Sequence, residues 1–275
     1  SDADVSTGEN GITLTSTKAF VLNNFVGNVS TLLNNLKWTA SAENAYIGIS
    51  GTLGDSTFTQ LPDAVPGGYR VVNGVTVAAG KTVTLEEGVC WKFDYNKSLS
   101  INGTFVVNNA TEADALVADD NYVYFNVENG GKLQLTNANV KNFYGVYLRS
   151  GGSFEMTGGV LDTQRQLDMA SGSTAILTGV EVKDYIYNNG TLSMTGGSIN
   201  NYIESTGTLN LSNVSSTSHV IAKGKSVLDG VSCTSLYVDS DSDVSVGEGG
   251  LTLTGTEAMR LTNDFTGDTA RLFEL

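Results

Sequence analysis

Six segments of this chain can be laid over one another: GKLQLTNANV (131–140), GSFEMTGGVL (152–161), STAILTGVEV (173–182), GTLSMTGGSI (190–199), GTLNLSNVSS (207–216) and GKSVLDGVSC (224–233). Their first residues are spaced by 21, 21, 17, 17 and 17. A period near 20, with apolar and polar positions alternating and Gly or Asn at the turns, is the pattern of a β-solenoid. Each repeat is then one coil that buries its apolar positions only by stacking on its neighbours. The spacing predicts four inward rows. Two residues past each first residue stand Leu133, Phe154, Ala175, Leu192, Leu209 and Ser226, and four past stand Leu135, Met156, Leu177, Met194, Leu211 and Leu228. Nine past stand Val140, Leu161, Val182, Ile199, Ser216 and Cys233, and four before stand Val127, Leu148, Met169, Ile186, Ile203 and Val220. A β-sandwich with regular strand spacing is the competing architecture, but it would not repeat its strands in register.

Composition agrees with the pattern. Charged residues are only 16% of the chain, against roughly 25% in ordinary soluble domains. Polarity comes instead from 31 Thr and 25 Asn beside 32 Gly, residues that suit strands and the left-handed turns between them. Lys and Arg number 15 and Asp and Glu 29, so the net charge is −14, which excludes a phosphate-backbone binder. One histidine, His219, rules out a multi-histidine zinc site and leaves a single possible centre for a Ser-His-Asp triad. No run of 18 apolar residues occurs, so no helical membrane span is expected. Low-charge β chains rich in Thr, Asn and Gly point to an extracellular or cell-surface location.

The stretch from Gly74 to Val107 reads GVTVAAGKTVTLEEGVCWKFDYNKSLSINGTFVV. Lys81-Thr82, Glu87-Gly88 and Ile101-Asn102-Gly103-Thr104 resemble the opening coils of right-handed parallel β-helix repeat proteins of bacterial and archaeal surfaces. The resemblance covers about residues 66 to 250 as a pattern. It implies a pectate-lyase-like superfamily shape, a group that holds both enzymes and inert surface stalks.

A second, longer repeat spans the chain. DADVSTGENGITLTSTKAFVLNN (2–24) returns as DSDVSVGEGGLTLTGTEAMRLTN (241–263), with 14 of 23 positions identical. After one inserted residue the match resumes at Phe25/Phe265 and Gly27/Gly267. One account is a tandem array with a unit near 239 residues; the other is a duplicated terminal cap. In the array the two copies are expected to share one backbone conformation at equivalent places on the rod. NVSTLLNNLKW suits a short helix or irregular strand pair, with Leu32, Leu33 and Leu36 covering an open sheet edge. The expected division is an N-terminal junction or cap segment over 1–66, a parallel β-helix over 67–250, and a C-terminal element over 251–275.

Candidate sites are few. Tyr147, Asp168, Tyr185, Tyr202 and His219 fall five before the first residue of successive repeats, and Tyr237 extends the column if the next repeat opens at Ser242. Stacked aromatics on a solenoid face could bind sugar rings, or could serve only to hold parallel strands together. Asp239, Asp241 and Asp243 could gather oxygens for Ca²⁺, or form a solvated acidic turn. Apart from that possible ion no cofactor is expected. Lys141, Asp162 and Lys183 could make an alternating-charge ladder on the surface. Cys90 and Cys233 fall too many coils apart to bond. These residues predict a non-enzymatic extracellular module, a stiff spacer or fibre unit of a large surface protein or filament that associates end to end with its own kind. The alternatives are a pectate-lyase-like carbohydrate-active enzyme and a glycan- or Ca²⁺-binding adhesin.

Overall fold

The computed structural model describes residues 7–40, 42–63, 65–119, 122–239 and 242–261. The chain is a parallel β-solenoid of about 10 turns. Each regular coil lays one strand on each of three faces, A, B and C, and within the stack these strands bond in parallel to their counterparts in the coils before and after. The coil 174–188 is representative. Thr174–Thr178 lies on face A, Glu181–Val182 on face B and Tyr185–Asn188 on face C. On face A, Leu133, Phe154, Ala175, Leu192, Leu209 and Ser226 are successive partners, two residues ahead of the Leu135-to-Leu228 row. Both rows point inward as the spacing predicts, and Leu192, Leu209 and Leu211 are buried.

The corner between faces A and B explains why those rows are regular. Six residues past each repeat start stands Asn137, Gly158, Gly179, Gly196, Asn213 or Gly230, every one with positive φ. Gly and Asn tolerate that left-handed conformation, so one tight turn recurs in every coil and fixes the distance between the two faces. At Gly197 the absence of a side chain is also steric, since a Cβ would lie 2.2 Å from the Val180 carbonyl oxygen.

The other two corners vary, and here the predicted row fails. Leu167, not Met169, is the partner of Ile186, and Met169 pairs with Asn188. Val146, Leu167, Ile186, Ile203 and Val220 therefore form one inward row, while Leu148, Met169, Asn188, Ser205 and Ala222 form a second. The step from 21 to 17 residues removes two from the B–C corner, where Leu161 to Leu167 becomes Val182 to Ile186. It removes two more from the C–A corner, where Leu167 to Ala175 becomes Ile186 to Leu192. Losses in pairs preserve the in–out alternation; a loss of one would turn a strand inside out.

The interior follows the coil length. The longer coils are filled by Phe58, Trp91, Phe93, Phe105, Phe125, Phe143 and Phe154, all fully buried. Edge-to-face contacts join several, with Trp91 centroids 4.7 Å from Phe58 and 5.3 Å from Phe105. In the 17-residue coils the inward positions include Asn188, Ser205, Ser216 and Ser226, all buried. The Asn188 amide donates to Ser205 Oγ at 2.9 Å and to the Thr208 carbonyl at 2.8 Å, and its oxygen accepts the Gly190 N–H at 3.0 Å.

The solenoid begins earlier than residue 67. Strand β1 (Ile12–Leu14) lies apart, but β2 (Lys18–Asn23) pairs on face B with β5 (Tyr46–Leu53), and β5 pairs with Gly68–Val77. Between them come β3 (Gly27–Asn28), on face A, helix α1 (Val29–Leu36) and β4 (Trp38–Ala40). Asn28 caps α1 by accepting the Ser30 N–H at 2.8 Å, and Lys37, at φ 42, ends it. Leu32 is buried, and Leu33 and Leu36 pack on the core, so the helix is the expected cap. Strand β1 pairs only with β4, in a separate two-stranded sheet.

The two copies of the long repeat are strands at matching positions, 12–14 with 251–253 and 20–22 with 259–261. Their places on the rod differ. Leu251–Leu253 lies on face B against Val231–Cys233, and Met259–Leu261 on face C against Leu236–Val238. At the other end β1 is off the solenoid and β2 is on face B, so the copies sit one face apart.

Candidate functional site

The outward side of face C carries a continuous aromatic band. Tyr185, Tyr202 and His219 are in one outward row, set by the pairing of Ile186, Ile203 and Val220. Tyr237 is the backbone partner of Ile221, one position along, and its ring reaches back over His219. Tyr185 and Tyr202 lie 5.1 Å apart and parallel to within 1°. Tyr202 to His219 is 5.1 Å at 7°, and His219 to Tyr237 is 4.8 Å at 10°. Arg260 closes the stack over Tyr237 at 5.6 Å. Tyr147 is not in this row. Backbone pairing sets it beside Asp168 and Asp168 beside Tyr187, because the C–A corner shortens between those coils.

Tyr147 belongs to a second aromatic group that the column spacing did not reveal. Tyr124 stands 5.0 Å from Tyr144 and 6.1 Å from Tyr147, and Tyr122 continues from Tyr144 to Tyr95. Arg165 lies over the Tyr144 ring at 5.0 Å, and its charge acts on both Tyr147 and Tyr185, joining the two groups. The signal for this group lay in NYVYF (121–125) and FYGVY (143–147), where Tyr alternates with inward Val and Phe.

The chemistry of the band follows from ring orientation. In the Tyr185–Tyr202–His219–Tyr237 stack the ring faces cover one another along the rod axis, so edges and polar ends point outward. The Tyr187 and Tyr202 hydroxyls share a hydrogen bond at 2.6 Å. Burial, then this contact, pushes the Tyr202 phenol up; burial holds the His219 imidazole down, against an opposing pull from Glu204. Tyr95 and Tyr122 are different, with 57% and 48% of their surface exposed.

Of the acidic triplet, Asp241 lies outside the described residues. The Asp239 carbonyl accepts both the N–H and the hydroxyl of Ser242, which closes a turn, and Asp243 is the strand partner of Lys225. Among the described residues no three His, Cys, Asp or Glu side chains converge. The proposed Lys141–Asp162–Lys183 ladder gives way to other pairs: Lys141 bonds Asp114 at 2.7 Å in the preceding coil, and Lys183 bonds Glu181 within its own. Arg70 spans three coils, bonding Asp94 at 2.7 Å and also Asp119. Cys90 and Cys233 are both free thiols, and burial pushes each up to about 11, far from a thiolate at neutral pH. Among the described residues no helix is long and apolar enough to cross a membrane.

No family model matches this chain, and neither the curated proteins nor the solved structures searched contain a match.

Proposed function

We propose that this chain is a non-enzymatic structural module, a stiff spacer or fibre unit of an extracellular surface protein or filament, whose rods associate end to end. The observation that carries the reading is the direction of its side-chain contacts. Stacked rings, the Asn188–Ser205 hydrogen bond and the ion pairs Lys132–Glu155, Lys141–Asp114 and Lys223–Glu204 all run from coil to coil along the axis. Such contacts stiffen a rod against bending and separation of its coils. The repeated sequence at the two ends, with 14 of 23 positions identical, supplies a reason for rods to meet in series, and a head-to-tail contact does not close on itself. The resemblance of residues 74–107 to right-handed β-helix surface proteins, and through them to the pectate-lyase-like shape, supports a surface location. Sedimentation velocity over a rising concentration series is the test. Growth in one dimension, with the cross-section of the single rod retained, is expected; a monomer throughout, with no axial species, overturns the reading.

A glycan-binding role is the second reading, favoured by the exposed rings of Tyr95 and Tyr122 beside Tyr144. Ca²⁺ at the acidic turn would accompany it. A glycan array in which binding is lost on Tyr122→Ala supports it, and an array with no signal removes it.

A further inference from the structure

The two copies of the long repeat use opposite edges of one element. At the C-terminal end, residues 251–253 and 259–261 bond backward onto the coil before them. At the N-terminal end, the matching residues of β1 and β2 bond forward, onto β4 and the first half of β5. A parallel strand has two hydrogen-bonding edges, and pairing on one leaves the other open to addition. The side chains match as well. Ile12, Leu14, Phe20 and Leu22, which with Leu36 and Trp38 line a cavity of about 330 Å³, correspond to Leu251, Leu253, Met259 and Leu261.

One glycine adds an independent observation. Gly11 has φ +63, and a Cβ there would meet the Lys37 carbonyl oxygen at 2.0 Å, so the place that β1 occupies admits only glycine. Its counterpart Gly250 has φ +75 and nothing within 4 Å of a built Cβ. Where it now sits, Gly250 answers to conformation alone; in the place of Gly11 it would answer to sterics too.

We propose that residues 246–261 of one copy take the place that residues 7–22 hold on a second copy, while keeping their bonds to their own rod. This rests on the end-to-end reading and names its junction. The resident β1 leaves β4 and β2 leaves the first half of β5, and Leu251–Leu253 and Met259–Leu261 form parallel ladders of the same kind in their places. Thr252 then stands beside Thr39, where Thr13 stands now with its hydroxyl 3.3 Å from that of Thr39. Met259–Leu261 is on face C of the rod it ends and replaces β2 on face B of the next, so successive rods are turned by one face.

The full chain with Cys90→Ala and Cys233→Ala tests this. Adding Thr39→Cys and Thr252→Cys should give disulfide-linked dimers, trimers and longer chains on mild oxidation. Thr13→Cys with Thr39→Cys should close within one chain and stop that growth. Gly250→Asn separates the junction from the fold, because among the described residues Asn holds six of the seven positive-φ positions that are not glycine. It should leave the thermal midpoint unchanged while reducing cross-linked product by roughly tenfold or more, through the clash with the Lys37 carbonyl. Axial assembly without any Thr39–Thr252 link, or a link that survives Gly250→Asn undiminished, overturns this junction and leaves end-to-end association standing. A chain that never associates overturns both.

Discussion

The two halves of the rod both pack Tyr rings outside, but only the wide half fills its interior with aromatic residues. Up to Phe154 the coils are long, and Trp and Phe fill the interior. From Ala175 to Cys233 the coils are 17 residues, no Phe or Trp occurs, and Tyr185, Tyr202, His219 and Tyr237 stack outside. Cutting two residues from each of two corners narrows the cross-section, so the interior holds aliphatic side chains, Met194, Cys233, Asn188 and small Ala and Ser but no aromatic ring. Stacking on the outer face replaces part of what the interior no longer supplies. Coil length thus decides whether the interior holds Phe and Trp, while outward Tyr rings pack together in both halves.

The sharpest way to break this comparison is to empty the wide half. Phe125→Ala should cost about 3–5 kcal/mol by denaturant unfolding, and Leu209→Ala in the narrow half about 2–5 kcal/mol. A loss under about 1 kcal/mol at Phe125 would mean that the wide interior is loosely filled. Overfilling the narrow half comes next. Ser226→Leu should destabilise by about 1–3 kcal/mol, since the small interior has no room for it. Ser226→Ala should be neutral or stabilising, because the buried Ser226 hydroxyl has no partner and its removal ends that penalty. If Leu is tolerated there, the narrow coils are not tight.

Removing the outside stack should matter less. Tyr202→Ala should cost about 0.5–1.5 kcal/mol beyond its lost area, and the analogous change at the exposed Tyr95 should cost less. The smallest effect is in pH. Burial lowers His219 below its ordinary 6.5, so the unfolded chain takes up that proton more readily than the folded one. The stability tied to the neutral ring is whole above 6.5 and is lost as pH falls below it. His219→Phe should flatten the thermal midpoint between about pH 7 and pH 5. Below this range the carboxylates take over. Glu155, held low by Lys132 and then Gln134, contributes stability that is present above 4.5 and lost as pH falls further.

Much of this was legible in the repeat. Faces A and B could be read residue by residue, because one Gly or Asn turn per coil keeps their separation constant. Face C could not, because the shortening is divided between two corners, and counting back from face A crosses only one of them. That error of two residues put Tyr147 in the wrong aromatic group and Met169 beside Ile186. The N-terminal coils escaped for a different reason. In β5 the single residue Gly51, at φ +77, turns face B into face C, so two faces occupy eight residues and no 17- or 21-residue spacing survives. Over 28–38 the leucines left a short helix and an irregular strand pair both open, and the Asn28 cap that the structure shows starts the helix. That one sequence would sit on different faces at the two ends was not visible, because the outcome depends on which neighbour each copy finds.

We propose that rods of this chain join in series along the axis. Electron cryomicroscopy of the concentrated chain of residues 1–275 is the test. About ten turns at roughly 4.8 Å each give an axial repeat near 50 Å, with coils continuous across every junction. Filaments with that repeat are the expected result. Single rods at all concentrations, or rods that pair side by side through the aromatic band, would contradict it.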